Sequence, residues 1–301
     1  MGPVHEKRWL RVVLVGGFVC FCLRAQATET PPIPAGELVR RAVQNEVKAA
    51  QNESVNHLFM SRKDTGHGSQ TKLYCETKEA MAGLAVAYDD KPLTADQRLA
   101  EQSRLEQLMK NPDELQKKRQ REKEDAERVA RIVRALPDAF VYEYDGAEPG
   151  RGDLGKEDHE LVRLRFRPNP KYEPPTRTEQ VLQGMQGFLL VDANANRIAR
   201  IDGTLFRDVG FGWGILGHLD RGGHFLVEQG DVGDGSWDIR RMSLAFTGKI
   251  LLFKRIDIKS TEVFSDYHPV PAGLTFAQGV ALLKQHESVL ASDGHGVVPQ
   301  K

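Results

Sequence analysis

The chain has 301 residues, with 42 basic and 42 acidic side chains, and 40% of its residues are hydrophobic. This fraction, together with the 28% of charged residues, is typical of a globular protein and excludes wholesale disorder. A formal net charge of zero argues against a general polyanion binder, so we predict no nucleic-acid partner.

The first 27 residues have the pattern of a secretory signal peptide. A basic region ends at Arg11, residues 12–23 form an apolar run, and Ala-Gln-Ala ending at Ala27 is a cleavage site of the A-x-A type. This run is too short to cross about 30 Å of hydrocarbon, although an uncleaved anchor is the alternative. We therefore expect an exported protein, periplasmic if the source has two membranes and otherwise secreted.

The remaining residues, 28–301, are expected to form one domain without a stable membrane span. Cys20 and Cys22 lie in the signal peptide, so the mature chain keeps only Cys75 and cannot form an internal disulfide. Its stability must therefore come from a hydrophobic core, which a chain of this length can build.

The first half of the domain mixes helices and strands. Apolar residues at helical spacing predict a helix over Glu37–Ala50, and the segment Val55–Tyr88 has the texture of two or three strands. Thr94 with Gln97 forms a capping-box pattern and begins a helical excursion at about residues 94–136.

The helical excursion contains two helices. Asn111 suits an N-cap and is followed by Pro112, so a second helix is expected to begin there and to end near Leu136, before Pro137. The segment Asp113–Arg128 contains six acidic and six basic residues, so its charge is mixed and balanced. Such a mixed run is typical of a solvated helix face, and a docking arm is the alternative.

Strands dominate from Ala139 onward, with tight turns between them. Asn194-Ala195-Asn196 and Asp234-Gly235 suit hairpins, and Thr247-Gly248 is expected between two strands. Consecutive strands on short turns predict an antiparallel meander, which a helix over Phe276–Leu290 closes. The predicted strands are Ala139–Tyr144, Glu160–Arg167, Met185–Val191, Arg197–Leu205, His224–Gln229, Ser236–Phe246, Lys249–Lys259 and Thr261–Tyr267.

The meander from Met185 to Tyr267 resembles the LolA/LolB-like superfamily, the periplasmic lipoprotein-sorting proteins and related envelope sensors. The residues that carry the resemblance are Gly187–Asp192, Arg197–Asp202, the strand around Trp237, Gly248–Phe253 and Ser265-Asp266-Tyr267. The resemblance implies an α+β fold, in which a curved antiparallel sheet forms an open half-barrel with helices packed on its concave face. It also implies a cavity for acyl chains.

A curled sheet of this kind often leaves an apolar pocket between its strands and its helices. Five large apolar residues are candidates to line it, although each could equally be core. These ligand-binding candidates are Phe188, Trp213, Phe225, Trp237 and Phe253.

The sequence offers few groups for catalysis, metal binding or cofactor binding. Residues 212–217 match G-x-G-x-x-G, but the glycine pair 222–223 leaves no room for the full helix that a dinucleotide site needs. The spacing of His218, Asp220 and His224 does not form a ready metal-ligand set. Asp231, Asp234 and Asp238 do not match an EF-hand loop, and Asp234-Gly235 is better interpreted as a turn.

No nucleophile is marked by a motif either. Ser265, Asp266 and His268 are neighbours in sequence, whereas triads are assembled from separate segments. Cys75 is expected to be a buried strand cysteine. We therefore predict no catalytic residue, metal or cofactor.

The sequence thus favours a non-catalytic exported protein that shelters a hydrophobic ligand, an acyl chain, lipid or lipoprotein. An envelope interaction or sensor module, which docks on a protein partner through the charged helices, is the alternative. An unrecognised hydrolase is the third hypothesis.

Overall fold

The computed structural model describes residues 33–51, 55–211, 217–233, 235–250 and 254–292. The chain divides into two units, Met1–Pro32 and Ile33–Lys301, and every described residue belongs to the second. Within these described residues, no helix combines the length and the apolar character needed to cross a bilayer.

Helices precede, interrupt and follow the strands of the second unit. The helices are α1 (Ala35–Gln51), α2 (Ala95–Lys110), α3 (Pro112–Ala139), α4 (Arg177–Gln180), which continues into a 3-10 turn (Val181–Gly184), and α5 (Phe276–Ser292). The strands are β1 (Asn56–Thr65), β2 (Gly68–Cys75), β3 (Ala82–Tyr88), β4 (Lys91–Pro92), β5 (Phe140–Pro149), β6 (Glu160–Pro168), β7 (Met185–Asp192), β8 (Arg197–Leu205), β9 (Val209–Phe211), β10 (Gly217–Leu219), β11 (His224–Gly233), β12 (Ser236–Ile250) and β13 (Lys254–Val270).

The strands form one antiparallel sheet that does not close. Its order is β4-β3-β2-β1-β13-β12-β11-β8-β7-β6-β5, with the short pair β9 and β10 added beside β12. Because β4 and β5 lie at opposite ends of this order, the sheet is open. The predicted α+β class with an open curved sheet and packed helices is confirmed.

The contacts of α3 show that the sheet is strongly curved, since this one helix reaches both edges. The Glu122 carboxylate of α3 accepts the N–H of Met81, just before β3, at 3.0 Å, and the Leu136 carbonyl accepts the hydroxyl of Tyr142, in β5, at 2.7 Å. Fourteen helical residues span about 21 Å. Nine inter-strand steps separate β3 from β5, or about 43 Å in a flat sheet. Only a bent sheet brings both edges within reach of one helix.

Two hydrophobic cores lie on opposite faces of the sheet. α1 packs on the face of β5–β8 that carries Leu164, Leu189 and Leu205, and we call this the α1 face. α5 packs on β2 and β3 against Leu73 and Leu84, and we call that the α5 face. In β1, Met60 pairs with Leu73 of β2, whereas the next residue, Ser61, pairs with Lys72. Met60 therefore points to the α5 face together with Leu73, and Ser61 points to the opposite face.

The helix ends follow local capping chemistry. Thr94 and Gln97 form the predicted capping box of α2, and the Asn111 side chain accepts the N–H of Glu114 at the start of α3. The predicted end of this helix near Leu136 was wrong, because α3 continues to Ala139 with Pro137 inside it. Its last carbonyls find tertiary donors instead: the Tyr142 hydroxyl at Leu136, and the side-chain and backbone N–H groups of Asn169 at Asp138 and Ala139.

One predicted turn was also wrong. Thr247 and Gly248 lie inside β12, where Gly248 pairs with Ile256 of β13. β12 instead continues to Ile250 and β13 begins at Lys254, so the predicted strand Lys249–Lys259 is divided between β12 and β13, and Thr261–Tyr267 belongs to the same long β13. Gly248 is required where it is because a Cβ there would lie 2.2 Å from the carbonyl oxygen of His218.

Candidate functional site

The middle of the sheet carries an apolar strip on the α1 face. Directly paired residues of antiparallel strands lie on the same face, so the register extends this face from β8 across β11, β12 and β13. Ile201 pairs with Val227, Val227 with Met242, and Phe225 with Leu244. The apolar strip consists of Phe225, Val227, Met242, Leu244, Phe246, Ile256, Ile258 and Phe264. On β13 the same face also carries Ser260 and Glu262, which pair with Leu244 and Met242 and separate Phe264 from Ile258.

The apolar strip continues the first core but is less covered than it. Phe225 and Phe246 pack against the core under α1. Val227 is buried, whereas Met242, Leu244 and Phe264 are half-buried and Ile258 is 46% exposed. A strip of apolar side chains that stays partly accessible beside a packed core can receive a hydrophobic ligand.

The opposite face of the same strands is mostly polar. On β12 the residues between those of the strip are Arg241, Ser243, Ala245 and Thr247. This alternation matches a sheet with one apolar and one solvated face. The accessible apolar side chains of β12 therefore lie on one face only.

One end of the apolar strip meets an aromatic cluster. The Phe59 ring stacks on Tyr267 with centroids 5.1 Å apart and lies 6.2 Å from the ring of Phe264. The Tyr267 hydroxyl donates to the carbonyl oxygen of Ile239 at 2.6 Å. Burial raises the pKa of Tyr267, so the phenol remains a neutral donor at this end.

The five predicted ligand-binding residues do not gather in one place. Phe225 lies in the apolar strip on the α1 face. Phe188 and Trp237 pack against a third cluster that contains Leu161, Leu190 and Ala199. Trp213 and Phe253 lie outside the described residues.

The strand period explains why Phe188 separates from Phe225. Leu189 packs in the core under α1, so its neighbour Phe188 points to the other face, where the guanidinium of Arg163 lies 4.0 Å from its ring centroid. The Trp237 indole N–H donates to the carbonyl oxygen of Ile198 at 3.2 Å, which fixes this ring beside the third cluster.

Phe225 was the one strip residue among the predicted ligand-binding candidates, and the other seven were missed. The sequence did carry a signal for three of them, because Met242, Leu244 and Phe246 alternate with Arg241, Ser243 and Ala245. Aromatic size was a weaker criterion than this alternation, because the size of a side chain does not indicate which face of the strand it occupies.

The predicted metal candidates are paired separately. His218 lies 3.1 Å from Asp220, whereas the His224 ring nitrogen lies 2.9 Å from the carboxylate of Asp202. The Asp238 carboxylate accepts the N–H of Ile239, while Asp231 accepts that of Gly233 and Asp234 lies outside the described residues. In the described part of the chain, no group of three or more metal-ligating side chains converges.

The candidate nucleophiles have no catalytic surroundings. Cys75 is fully buried beneath α5, and burial raises the pKa of its thiol to about 11, which disfavours the reactive thiolate. The Ser265 hydroxyl donates to Asp266 at 3.3 Å, while the His268 ring packs against His286 of α5 at 5.2 Å between centroids.

The glycine-rich segment leads into a strand. Residues 212–216 lie outside the described residues, and Gly217 begins β10, which pairs with β9 and β12. A strand at this position is incompatible with the helix that a dinucleotide-binding glycine motif requires.

Comparisons with known proteins give likenesses at the level of solved structures. No family model matches this chain, and no curated protein matches it. A putative outer membrane lipoprotein-sorting protein domain from Vibrio parahaemolyticus is similar with 9% identity and a TM-score of 0.29, over 82% of this chain and 99% of that chain. A DUF1329 family protein from Desulfovibrio piger ATCC 29098 is similar with 13% identity and a TM-score of 0.27, over 81% of this chain and 96% of that chain.

The first of these structures is a putative lipoprotein-sorting domain, the kind of protein that the meander from Met185 to Tyr267 resembles. At TM-scores of 0.29 and 0.27 neither likeness carries an argument about the site. The fold and the apolar strip therefore rest on the strand order, the register and the burial of this chain itself.

Proposed function

We propose that this chain is an exported, non-catalytic binding protein that holds the hydrocarbon chain of a lipid or lipoprotein on the apolar strip. The carrying observation is that Phe225, Leu244 and Ile258 lie on one face of adjacent strands and remain partly accessible next to a packed core. Transfer of an acyl chain from water to such a surface is favourable by about 0.8 kcal/mol for each methylene that is buried.

Export is part of this proposal. It is supported by the basic region, apolar run and A-x-A site of residues 1–27. Cys75, the one cysteine that follows residue 27, is buried, so its thiol is shielded from oxidation outside the cytoplasm.

Substitution of Leu244 tests the proposal. Leu244→Glu places a carboxylate in the middle of the strip, where it must be desolvated against an acyl chain. We expect at least a tenfold lower affinity for both hexadecanol and palmitate, measured by native mass spectrometry after incubation of the purified protein with each probe.

The matched control is Ala245→Glu, on the next residue and the opposite face. Ala245 is exposed and pairs with Lys259, so a glutamate there gains an ion-pair partner without touching the strip. We expect unchanged binding of both probes. The proposal fails if the unmodified protein binds neither probe, or if both variants lower binding equally.

The alternative, an envelope interaction module, is favoured by one observation. Every residue from Lys123 to Val129 in α3 is exposed, so the helix is free on all sides there. Alanine substitutions at Lys123, Glu127 and Arg128 would separate the two functions, because they change this surface and leave the strip intact. Loss of a protein partner with retained palmitate binding would favour the interaction module.

A further inference from the structure

A polar region borders the apolar strip on the side of β1 and β2. The register places Phe264 beside Ser61 and Ser61 beside Lys72, so these three residues form one row across β13, β1 and β2 on the α1 face. In β2 the even-numbered positions Gln70, Lys72 and Tyr74 are half-buried, while the intervening residues are buried on the α5 face. Lys72 therefore lies two inter-strand steps, about 10 Å, from the strip.

Within the part of the chain that the structure describes, the Lys72 amine has no ion-pair partner, whereas the charges around it are paired. Arg104 binds Glu101 through two nitrogens, at 2.7 and 2.8 Å, and Lys118 binds Glu122. Among the described residues, the nearby carboxylates of Glu101, Glu122 and Glu262 form ion pairs with other cations, and none lies within ion-pair distance of the Lys72 amine.

The carboxylate on the β13 side is already engaged. One oxygen of Glu262 accepts the Ser61 hydroxyl at 2.6 Å, and the other lies 3.6 Å from the amine of Lys63. Glu262 is only 13% exposed, so it has little freedom to turn toward another cation.

The surroundings of Lys72 make its positive charge unfavourable without an anion. Burial lowers the pKa of Lys72, and the positive charges of Arg104 and Lys118 add to this effect, against the opposing influence of Glu101 and Glu262. A half-buried ammonium near two other cations is stabilised when an anion is placed beside it.

We propose that Lys72 binds the carboxylate of a long-chain fatty acid whose hydrocarbon chain lies on the apolar strip. This inference rests on the proposed function and names its ligand class. The hydrocarbon chain would extend from β2 across β1 and β13 toward β12 and β11, over Phe264 and toward Met242 and Leu244. It would pass beside Glu262 and Ser260, which lie on the same face of β13. Arg104 and Lys118 would contribute their field but not direct contacts, since each already binds a glutamate.

The experiment compares palmitate with hexadecanol, which has the same chain length and no charge. We expect the full-length protein to bind palmitate about fivefold to tenfold more tightly than hexadecanol at pH 7.5. Lys72→Met, which keeps most of the apolar stem, should remove this preference and leave the affinity for hexadecanol unchanged. Lys72→Arg should retain the preference, which also shows that a variant at this position folds.

Lys259→Met is the matched control. Lys259 is an exposed lysine of β13 on the opposite face, so its substitution should preserve the preference for palmitate. Equal affinities of the unmodified protein for the two probes, or a preference that survives in Lys72→Met, would overturn the inference and leave the apolar strip in place as the binding site. Failure of both probes to bind would overturn the proposed function and this inference together.

Discussion

At the scale of single residues, Glu101 shows how a buried charge stabilises the edge of the sheet. β3 has a partly unpaired edge, since β4 contains only two residues. The Glu101 carboxylate of α2 accepts the N–H of Ala85 at 2.7 Å, and Arg104 donates to the carbonyl oxygen of Gly83 at 2.7 Å. The Glu101–Arg104 ion pair thus binds one N–H and one carbonyl oxygen at the edge of β3, which blocks the pairing of another strand at this position.

We predict that Glu101→Ala lowers the free energy of unfolding by about 2 kcal/mol, because the Ala85 N–H becomes unsatisfied in a site that is 8% exposed. Equilibrium unfolding in urea at pH 7 measures this change. Glu124→Ala, on the exposed part of α3, is the control and should stay within about 0.5 kcal/mol of the unmodified protein.

The contribution of Glu101 should also depend on pH. Burial raises its pKa, but hydrogen bonds from Arg104 and from the Ala85 N–H outweigh burial, so the pKa in the folded protein is below the ordinary value. A group whose pKa falls on folding stabilises the protein above its unfolded pKa, about 4.3, and loses this effect as the pH falls through the folded pKa. The stability difference between the unmodified protein and Glu101→Gln should be smaller at pH 3 than at pH 7. An equal difference at both pH values would contradict this assignment.

Single residues also show what the sequence can predict about the site. Phe225 was identified by size and does lie in the strip, but Phe188 was identified by the same criterion and lies elsewhere. Which face a strand residue occupies depends on its register with distant strands and on bulges, such as the one between Leu190 and Val191. The pairing partners of Lys72 are likewise determined by register, so its role could not be inferred from composition or local spacing.

At the scale of elements, α3 is held at its two ends and free between them. Glu122 binds the backbone before β3, and Ala135 and Leu136 are buried under α1, whereas every residue from Lys123 to Val129 is exposed. A helix that is polar all round is typical of a segment that crosses solvent between two packed regions.

We predict that amide hydrogen exchange is faster in the middle of α3 than at its C-terminal end. Local opening costs little where few apolar side chains are buried. Mass spectrometry of deuterated peptides should show faster uptake over residues 123–129 than over residues 133–139. Uniform protection along the helix would mean that this middle segment is covered by something beyond the contacts described for it.

Elements also differ in how well their ends follow from local sequence. The capping groups Thr94 and Asn111 mark the starts of α2 and α3 correctly, because an N-cap depends on a side chain and a backbone N–H only a few residues apart. The end of α3 and the end of β12 did not follow the local pattern. The end of α3 is stabilised by hydrogen bonds from Tyr142 and Asn169, which lie outside the helix. In β12, Gly248 allows the close approach of the neighbouring strand at His218 and does not form a turn.

At the scale of the whole second unit, the placement of the helices on the sheet explains why the apolar strip is accessible. The class of the fold could be predicted from the alternation of strands and short turns and from the family resemblance, and the open sheet confirms it. The apolar strip lies on the α1 face, beside the strands that α1 covers, and among the described residues no helix packs on this face of β11, β12 and β13. α5 packs on the opposite face of the sheet. This gap in helical cover is what leaves Leu244 and Ile258 partly accessible.

Photo-crosslinking with a diazirine analogue of palmitate tests the central claim most directly, because it reports the position of the hydrocarbon chain on the folded protein. After irradiation and digestion, the account predicts labelled peptides from β11, β12 and β13, and their loss in Leu244→Glu. Labelling concentrated around Phe188 and Trp237, on the exposed middle of α3, or on no defined segment would contradict the claim that the apolar strip is the binding site.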